Sequence, residues 1–296
     1  MSIVLLVLLA VGVAAAAPRA RVAFVIPYTE REAYALEQVI RHEWSLFPPF
    51  ATDGNLRRTQ GNAVDLVFYY HRSSDKLSDH ARGVLIESLG VSQNSSGASG
   101  FQRWFGGRVH FVFADLSEAE DSRYLSGANE MFLRLVCSRR NSTLHEWVAE
   151  RYSHFFYMEV DTHVVRAGWA ARAAQIVRAP EPFWINGAVY TGPKILQQWY
   201  AGHINGNAFY STERDFTHRV CQVYEKSPHE ATDNGYDVSL YTLMFSHKNH
   251  GVGDRLAHRY RYTQFVVNLS HERITRAEAV ESYPLAYLVH TKEFAH

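Results

Sequence analysis

Two carboxylates spaced i, i+2 close an apolar, aromatic run, His154-Phe-Phe-Tyr-Met-Glu159-Val-Asp161-Thr162. In a strand, residues two apart project to one face, so Glu159 and Asp161 can address a single ligand where the strand leaves its sheet. Oxygen ligands of this kind suit Mg²⁺ or Mn²⁺, whose other positions are filled by water and phosphate oxygens, and this is a common grip on a diphosphate. An isolated E-x-D more often caps the helix that follows it. The residues downstream therefore decide what the pair is for.

The elements that must position this pair alternate between strand and helix. Arg21-Val-Ala-Phe-Val-Ile-Pro27-Tyr28 is β-branched and aromatic and reads as a buried strand. A helix follows with Ala33, Leu36, Val39, Ile40 and Trp44 on one face. Between them, Tyr28-Thr-Glu-Arg31 lies at the carboxyl end of the strand, where open α/β sheets place ligands, so Tyr28 and Arg31 are candidate substrate contacts. Residues 64–70 and 109–115 read as further strands, 127–137 as a buried helix and 262–267 as a late strand. After Asp161, a helix carrying Trp169, Ala173, Ile176 and Val177 is stopped by Pro180-Glu-Pro182. Phe183-Trp184-Ile-Asn186-Gly187 and Gly202-His203-Ile-Asn205-Gly206-Asn207-Ala-Phe209-Tyr210 read as two glycine-kinked segments. Asp237 opens an apolar helix, and the chain ends on a strand-like run, Tyr287-Leu-Val-His290-Thr. Neither a G-x-G-x-x-G nor a Walker motif is present, which leaves a metal to hold any diphosphate.

Composition narrows the class. The 296 residues suffice for one large domain, and no Gly-, Pro- or Ser-rich linker divides them. Lys and Arg (30) balance Asp and Glu (30), which argues against a nucleic-acid partner. The apolar run from Ile3 to Ala17 closes with Ala15-x-Ala17 ahead of Pro18. It reads as a signal peptide over 1–17 or a short signal anchor, the only expected membrane contact, with the domain occupying 18–296. The expected location is the endoplasmic reticulum–Golgi lumen or outside the cell. Sequons at Asn94, Asn141 and Asn268 are compatible with that route. Cys137 and Cys221 could pair in an oxidising lumen or could both be buried thiols.

The order of an acidic E-x-D, an Asn/Gly segment, an acidic residue opening a helix and a carboxy-terminal histidine resembles the GT-A glycosyltransferases of the secretory pathway. The resemblance implies an α/β fold, a Rossmann-type mixed sheet with helices on both faces in a single domain. It implies metal binding by Asp161, with Glu159 in place of the commoner aspartate and His290 completing the shell. It further implies that Gly206 lies against a donor sugar and that Asp237 acts as base if the reaction inverts the anomeric centre.

Physical chemistry supplies a reason for each type. A divalent cation, Mn²⁺ or Mg²⁺, would stabilise charge on a departing nucleoside diphosphate, and imidazole favours Mn²⁺. A carboxylate in reach can deprotonate an acceptor hydroxyl, and the helix dipole would hold Asp237 ionised for it. Asn205 and Asn207 could bind sugar hydroxyls, while Trp184 and Tyr210 offer flat faces. Each residue has a plainer role too: Asp237 as an N-cap, Asn205-Gly206-Asn207 as a tight turn, His290 and Trp184 as core. The expected function is metal-assisted transfer of a sugar from a nucleotide-sugar donor to a hydroxyl of a glycan, glycoprotein or glycolipid. The alternative is a non-catalytic protein of the same fold that binds nucleotide sugars or glycans.

Overall fold

Strands β1 (Val22–Tyr28) and β2 (Val64–Tyr70) are apolar at almost every position because their sheet is covered on both faces. In β1, Val22, Phe24, Ile26 and Tyr28 enter one core while Ala23 and Val25 enter the other, the period of two that a strand imposes. The computed structural model describes residues 21–50, 64–88, 109–122, 124–192, 202–226, 234–245, 255–270, 272–292 and 294. The leader at 1–17 and the sequon at Asn94 lie outside the described residues.

Among the described residues the remaining strands are β3 (Val109–Phe113), β4 (His154–Tyr157), β5 (Thr162–Val164), β6 (Ile185–Gly187), β7 (Ala208–Ser211), β8 (Tyr260–Tyr262), β9 (Val266–Ser270) and β10 (Leu288–Thr291). Seven of the strands form a mixed sheet in the order β3-β2-β1-β4-β7-β6-β8, and the other three form a small sheet, β5-β10-β9. β1 pairs in parallel with both β2 and β4, and β7 runs antiparallel to β4 and β6. The chain order reverses between β1 and β4, so their carboxyl ends border the crevice in which such sheets bind ligands. Helices Glu32–Gln38 and Trp169–Val177 cover one face; Tyr124–Val136, Ser142–Arg151 and Arg214–Lys226 cover the other. This is the single α/β domain that the sequence implied.

Three local readings change. The late strand at 262–267 is two strands: β8 ends where the Thr263 N–H donates to Gly187 O (2.9 Å), and β9 then joins the other sheet. The second kinked segment runs into β7, the antiparallel strand between β4 and β6. The helix after β1 widens into a π-helical turn over Val39–Glu43, which buries the Glu43 carboxylate. That carboxylate accepts from Val164 N (2.9 Å), His163 Nδ1 (2.7 Å) and Arg276 Nη2 (2.8 Å), so three donors compensate its desolvation and tie the helix to β5.

The cysteine question also closes. Cys137, just past the Tyr124–Val136 helix, is disulfide-bonded to Cys221 in the Arg214–Lys226 helix, 84 residues away. Closing a loop of that length restricts the unfolded chain by about 4.5 kcal/mol in the chain-entropy account. The Cys137→Ala/Cys221→Ala double variant should therefore lose several kcal/mol of stability, read as a lower denaturant midpoint. An unchanged midpoint would mean that the crosslink contributes nothing beyond packing.

Candidate functional site

Glu159 and Asp161 do not sit on strand β4, as the i, i+2 spacing suggested. β4 ends at Tyr157, and the Thr162 N–H donates to Glu159 O (3.0 Å), closing a four-residue turn over 159–162. The two carboxylates converge through this turn at the carboxyl end of the central strand. β5 then begins at Thr162, and β10 pairs antiparallel to it in a register that sets His290 opposite Thr162. His290 Nε2 lies 3.3 Å from Asp161 Oδ1 and 3.5 Å from Glu159 Oε2. One ligand atom from each of the three residues lies within 4.8 Å of the others.

Asn207 holds the turn in place. Its Nδ2 donates to Glu159 Oε2 (2.7 Å) and to Asn205 Oδ1 (2.9 Å). Its Oδ1 accepts from the Glu159 N–H (2.8 Å) and from Thr162 Oγ1 (2.6 Å). This carboxamide is buried and spent on the protein, as is the Asn205 oxygen, which also accepts from the Asn207 N–H (3.1 Å). The reading of Asn207 as a sugar-binding amide is thus corrected: it positions the carboxylates. Gly206 is needed for close approach, because a Cβ there would come 2.3 Å from Tyr236 Oη and 3.0 Å from Glu159 Oε1.

Asp237 lies in the first turn of the Tyr236–Phe245 helix, near the same glycine. Buried Asn129 sets where that helix begins, accepting from the Tyr236 N–H (2.7 Å) and donating to Asn234 O (2.9 Å). The Tyr236 ring stacks on Phe132 with centroids 4.0 Å apart. Buried His203 brings Nε2 to 3.7 Å from Asp237 Oδ2. Burial raises the Asp237 pKa, outweighing His203 and the backbone N–H groups that favour the charge. The helix dipole therefore does not dominate as expected, and Asp237 has more affinity for a proton than an ordinary aspartate.

The other candidates separate. Tyr28 stands at the carboxyl end of β1, on the same edge as the cluster, with its ring in the core and its buried hydroxyl without a hydrogen-bond partner among the described residues. Arg31 is exposed beside it. Trp184 lies at the opposite end of the sheet: its carbonyl accepts from Ser211 N (2.8 Å), its indole donates to Glu213 Oε2 (3.0 Å), and Arg219 and Arg259 cover its ring. It cannot share a sugar with Glu159. Tyr210 is buried in β7 between Phe132 and Phe155, and its hydroxyl donates to Gly206 O (3.2 Å), so it supports the glycine from below and offers no free face. Asn141 caps its helix by accepting from the Leu144 N–H (2.9 Å), and Asn268 is buried against His290, which removes it as an accessible sequon.

The donor set fits a divalent cation. Burial and the nearby Asp161 and Asp237 carboxylates push Glu159 up to about 7, against the pull of His290 and Asn207. For Asp161, burial is outweighed by the hydrogen bond and charge of His290, which hold it below the usual range; the same carboxylates raise His290 despite its burial. The raised Glu159 and His290 pKa values and the lowered Asp161 one are the response of closely packed acids and a base to one another, and two carboxylates with one imidazole are hard-to-intermediate ligands of the kind a divalent cation takes.

No family model matches the sequence, and no curated protein is similar to it. Solved structures do share its fold. The bifunctional glycosyltransferase WbbM superposes with a TM-score of 0.51 at 9% identity, over 92% of this chain and 45% of WbbM. An active-site variant of LgtC gives 0.50 at 11%, over 92% and 88%. Mouse xyloside xylosyltransferase 1 gives 0.47 at 9%, over 92% and 97%. The chain has the GT-A fold of the glycosyltransferases.

Two outcomes follow. Asn207→Ala removes a donor to the Glu159 carboxylate and the acceptor of its N–H and should cost about 2–3 kcal/mol, measured by urea unfolding. In the absence of metal, the raised Glu159 pKa makes stability fall as pH rises through about 7, and the raised His290 pKa acts in the same direction. Added Mn²⁺ should therefore raise the melting temperature more at pH 7.5 than at pH 5.5. An equal rise at both would refute the charge account.

Proposed function

We propose that the protein is a glycosyltransferase that moves a sugar from a nucleoside-diphosphate donor to a hydroxyl of a glycan or glycoconjugate, assisted by Mn²⁺ or Mg²⁺. The observation that carries the reading is the convergence of Glu159, Asp161 and His290 at the carboxyl end of β4, in a sheet of the GT-A fold. When bound there, the cation supplies Lewis-acid stabilisation of charge on the departing diphosphate. The three residues would hold it, and Asn207 keeps the two carboxylates in place without adding charge.

Asp237 is the base in this proposal. Its raised pKa brings it closer to working pH, where a general base is most effective, and His203 beside it favours the ionised form. Gly206, pressed between Glu159 and Tyr236, lets the metal ligands and the helix that carries the base approach one another closely. Acceptor attack from the Asp237 side would invert the anomeric centre. We further propose that the protein works in the secretory pathway or outside the cell, which the apolar leader and the Cys137–Cys221 disulfide support.

A panel of uridine- and guanosine-diphosphate sugars should reveal Mn²⁺-dependent donor hydrolysis that Asp161→Ala abolishes while the variant remains folded. Turnover by that folded variant would sink the metal assignment. Asp237→Asn should lower transfer by about 10²–10⁴-fold with donor KM almost unchanged. Wild-type transfer should also be lost on acidification at a pH above the ordinary aspartate range, since the base works only when ionised; an acid limb at that ordinary range would argue against Asp237.

A further inference from the structure

Asn268 is the middle residue of a chain of contacts that ends at the His290 ring. It lies in β9, opposite His290 in the parallel β9–β10 register, and it is buried. Its Oδ1 accepts two hydrogen bonds, from the Ser270 N–H (3.0 Å) and from His290 Nδ1 (3.0 Å). The first of these fixes which amide atom faces the ring: a backbone N–H needs an acceptor, so the oxygen stands there. Nδ1 must then be the nitrogen that carries hydrogen, and Nε2 is the one directed at Asp161 and Glu159.

The backbone around Asn268 is built to keep that oxygen still. Ser270 has φ of 53°, a left-handed conformation that a residue with a side chain adopts at a cost, and the Asn268 Oδ1 bond holds its N–H. The Asn268 carbonyl accepts from the Thr191 N–H (2.9 Å). The β9–β10 register shifts between His290 and Thr291, so pairing alone does not carry the alignment past His290.

We propose that Asn268 is a positioning residue that sets the tautomer and aim of His290 toward the cation site. The same burial makes the Asn268-Leu-Ser270 sequon silent in the folded protein, since a glycan on that amide would displace the contacts with Ser270 and His290. The inference rests on the metal reading above for its first part only; the second part is independent of it.

Titration of the full chain with Mn²⁺ alone, by calorimetry, tests the first part. Asn268→Leu should weaken binding by about 10–100-fold, the usual effect of removing a residue that orients a ligand. Asn268→Asp, which keeps an acceptor at the same place, should restore most of it, whereas a merely structural role would leave both variants alike. Ser270→Ala should bind as wild type. If the leucine variant fails to fold, ¹⁵N spectra of the neutral wild-type histidine rings with saturating Mg²⁺ still decide: hydrogen on Nδ1 of His290 alone supports the inference, and hydrogen on Nε2 alone overturns it. Folded Asn268→Leu with undiminished affinity overturns it as well. Absence of Mn²⁺ binding by the wild type would instead refute the metal reading itself. Peptide mapping of protein made in a glycosylating host should find Asn268 bare, and a glycan there would overturn the second part.

Discussion

The insertion of β10 between β5 and β9 is the constraint on which the candidate site depends. Asp161 and His290 are far apart in sequence, and they meet because antiparallel pairing puts His290 opposite Thr162, one residue past Asp161. The Thr291 N–H donates to the Asp161 carbonyl (3.3 Å), extending the pairing to the ligand itself. Side chains alternate faces along a strand, so a one-residue slip of β10 would turn the imidazole away from both carboxylates. The register is held by burial: Leu288 enters the core under the large sheet, while Val289 joins Val165, Val267 and Leu269 in a separate cluster. The two faces of one short strand are thus committed to different cores, and the histidine follows from that commitment.

The large sheet contributes rigidity and an address. Its central strands are covered on both sides by aromatic side chains, each worth about 1.5–3 kcal/mol when fully buried. That reserve offsets what the site costs. Glu159 is driven toward the protonated form by its surroundings, and Asp237 likewise. A fold optimised for stability alone would not collect two carboxylates, a histidine and a third acid around one glycine. The charge is concentrated at the carboxyl edge of β1 and β4, where the topology opens a crevice and where a divalent cation would balance it.

Much of the scaffold is legible from residue pattern, because buried strands write their burial into composition. Val22–Tyr28 and Val64–Tyr70 read as strands for the same reason that they occupy the middle of the sheet. Where the pattern misleads, a tertiary partner is responsible. The run at 262–267 is uniformly strand-like, yet it leaves one sheet for another, which only the pairing of Tyr262 with Gly187 reveals. Trp184 and Tyr210 look like ring platforms since exposure is invisible in a sequence, and their contacts lie with Glu213, Arg259, Phe132 and Phe155. Glu159 and Asp161 were found for an incomplete reason: spacing put them on one face of a strand, whereas a turn brings them together. Asn268 carried a local signal that pointed elsewhere, to glycosylation, because its partner is 22 residues further on.

The residues whose roles the pattern does not show share a chemistry. Asn129, Asn207 and Asn268 are all buried, and each uses its carboxamide to fix a charged or titratable group or the helix that bears one. A neutral amide can donate and accept at once, so it orients a carboxylate or an imidazole without altering the local charge. At position 207 this neutrality is essential: an aspartate there would set a like charge 2.7 Å from Glu159 Oε2 and remove the donor that now meets it. At position 268 only an acceptor is required, because both partners are N–H groups. The two asparagines are therefore different devices despite identical chemistry, one bridging a carboxylate to the backbone and the other aiming an imidazole. A site that concentrates negative charge needs supports of this kind, since every charged support would shift the groups it was meant to hold.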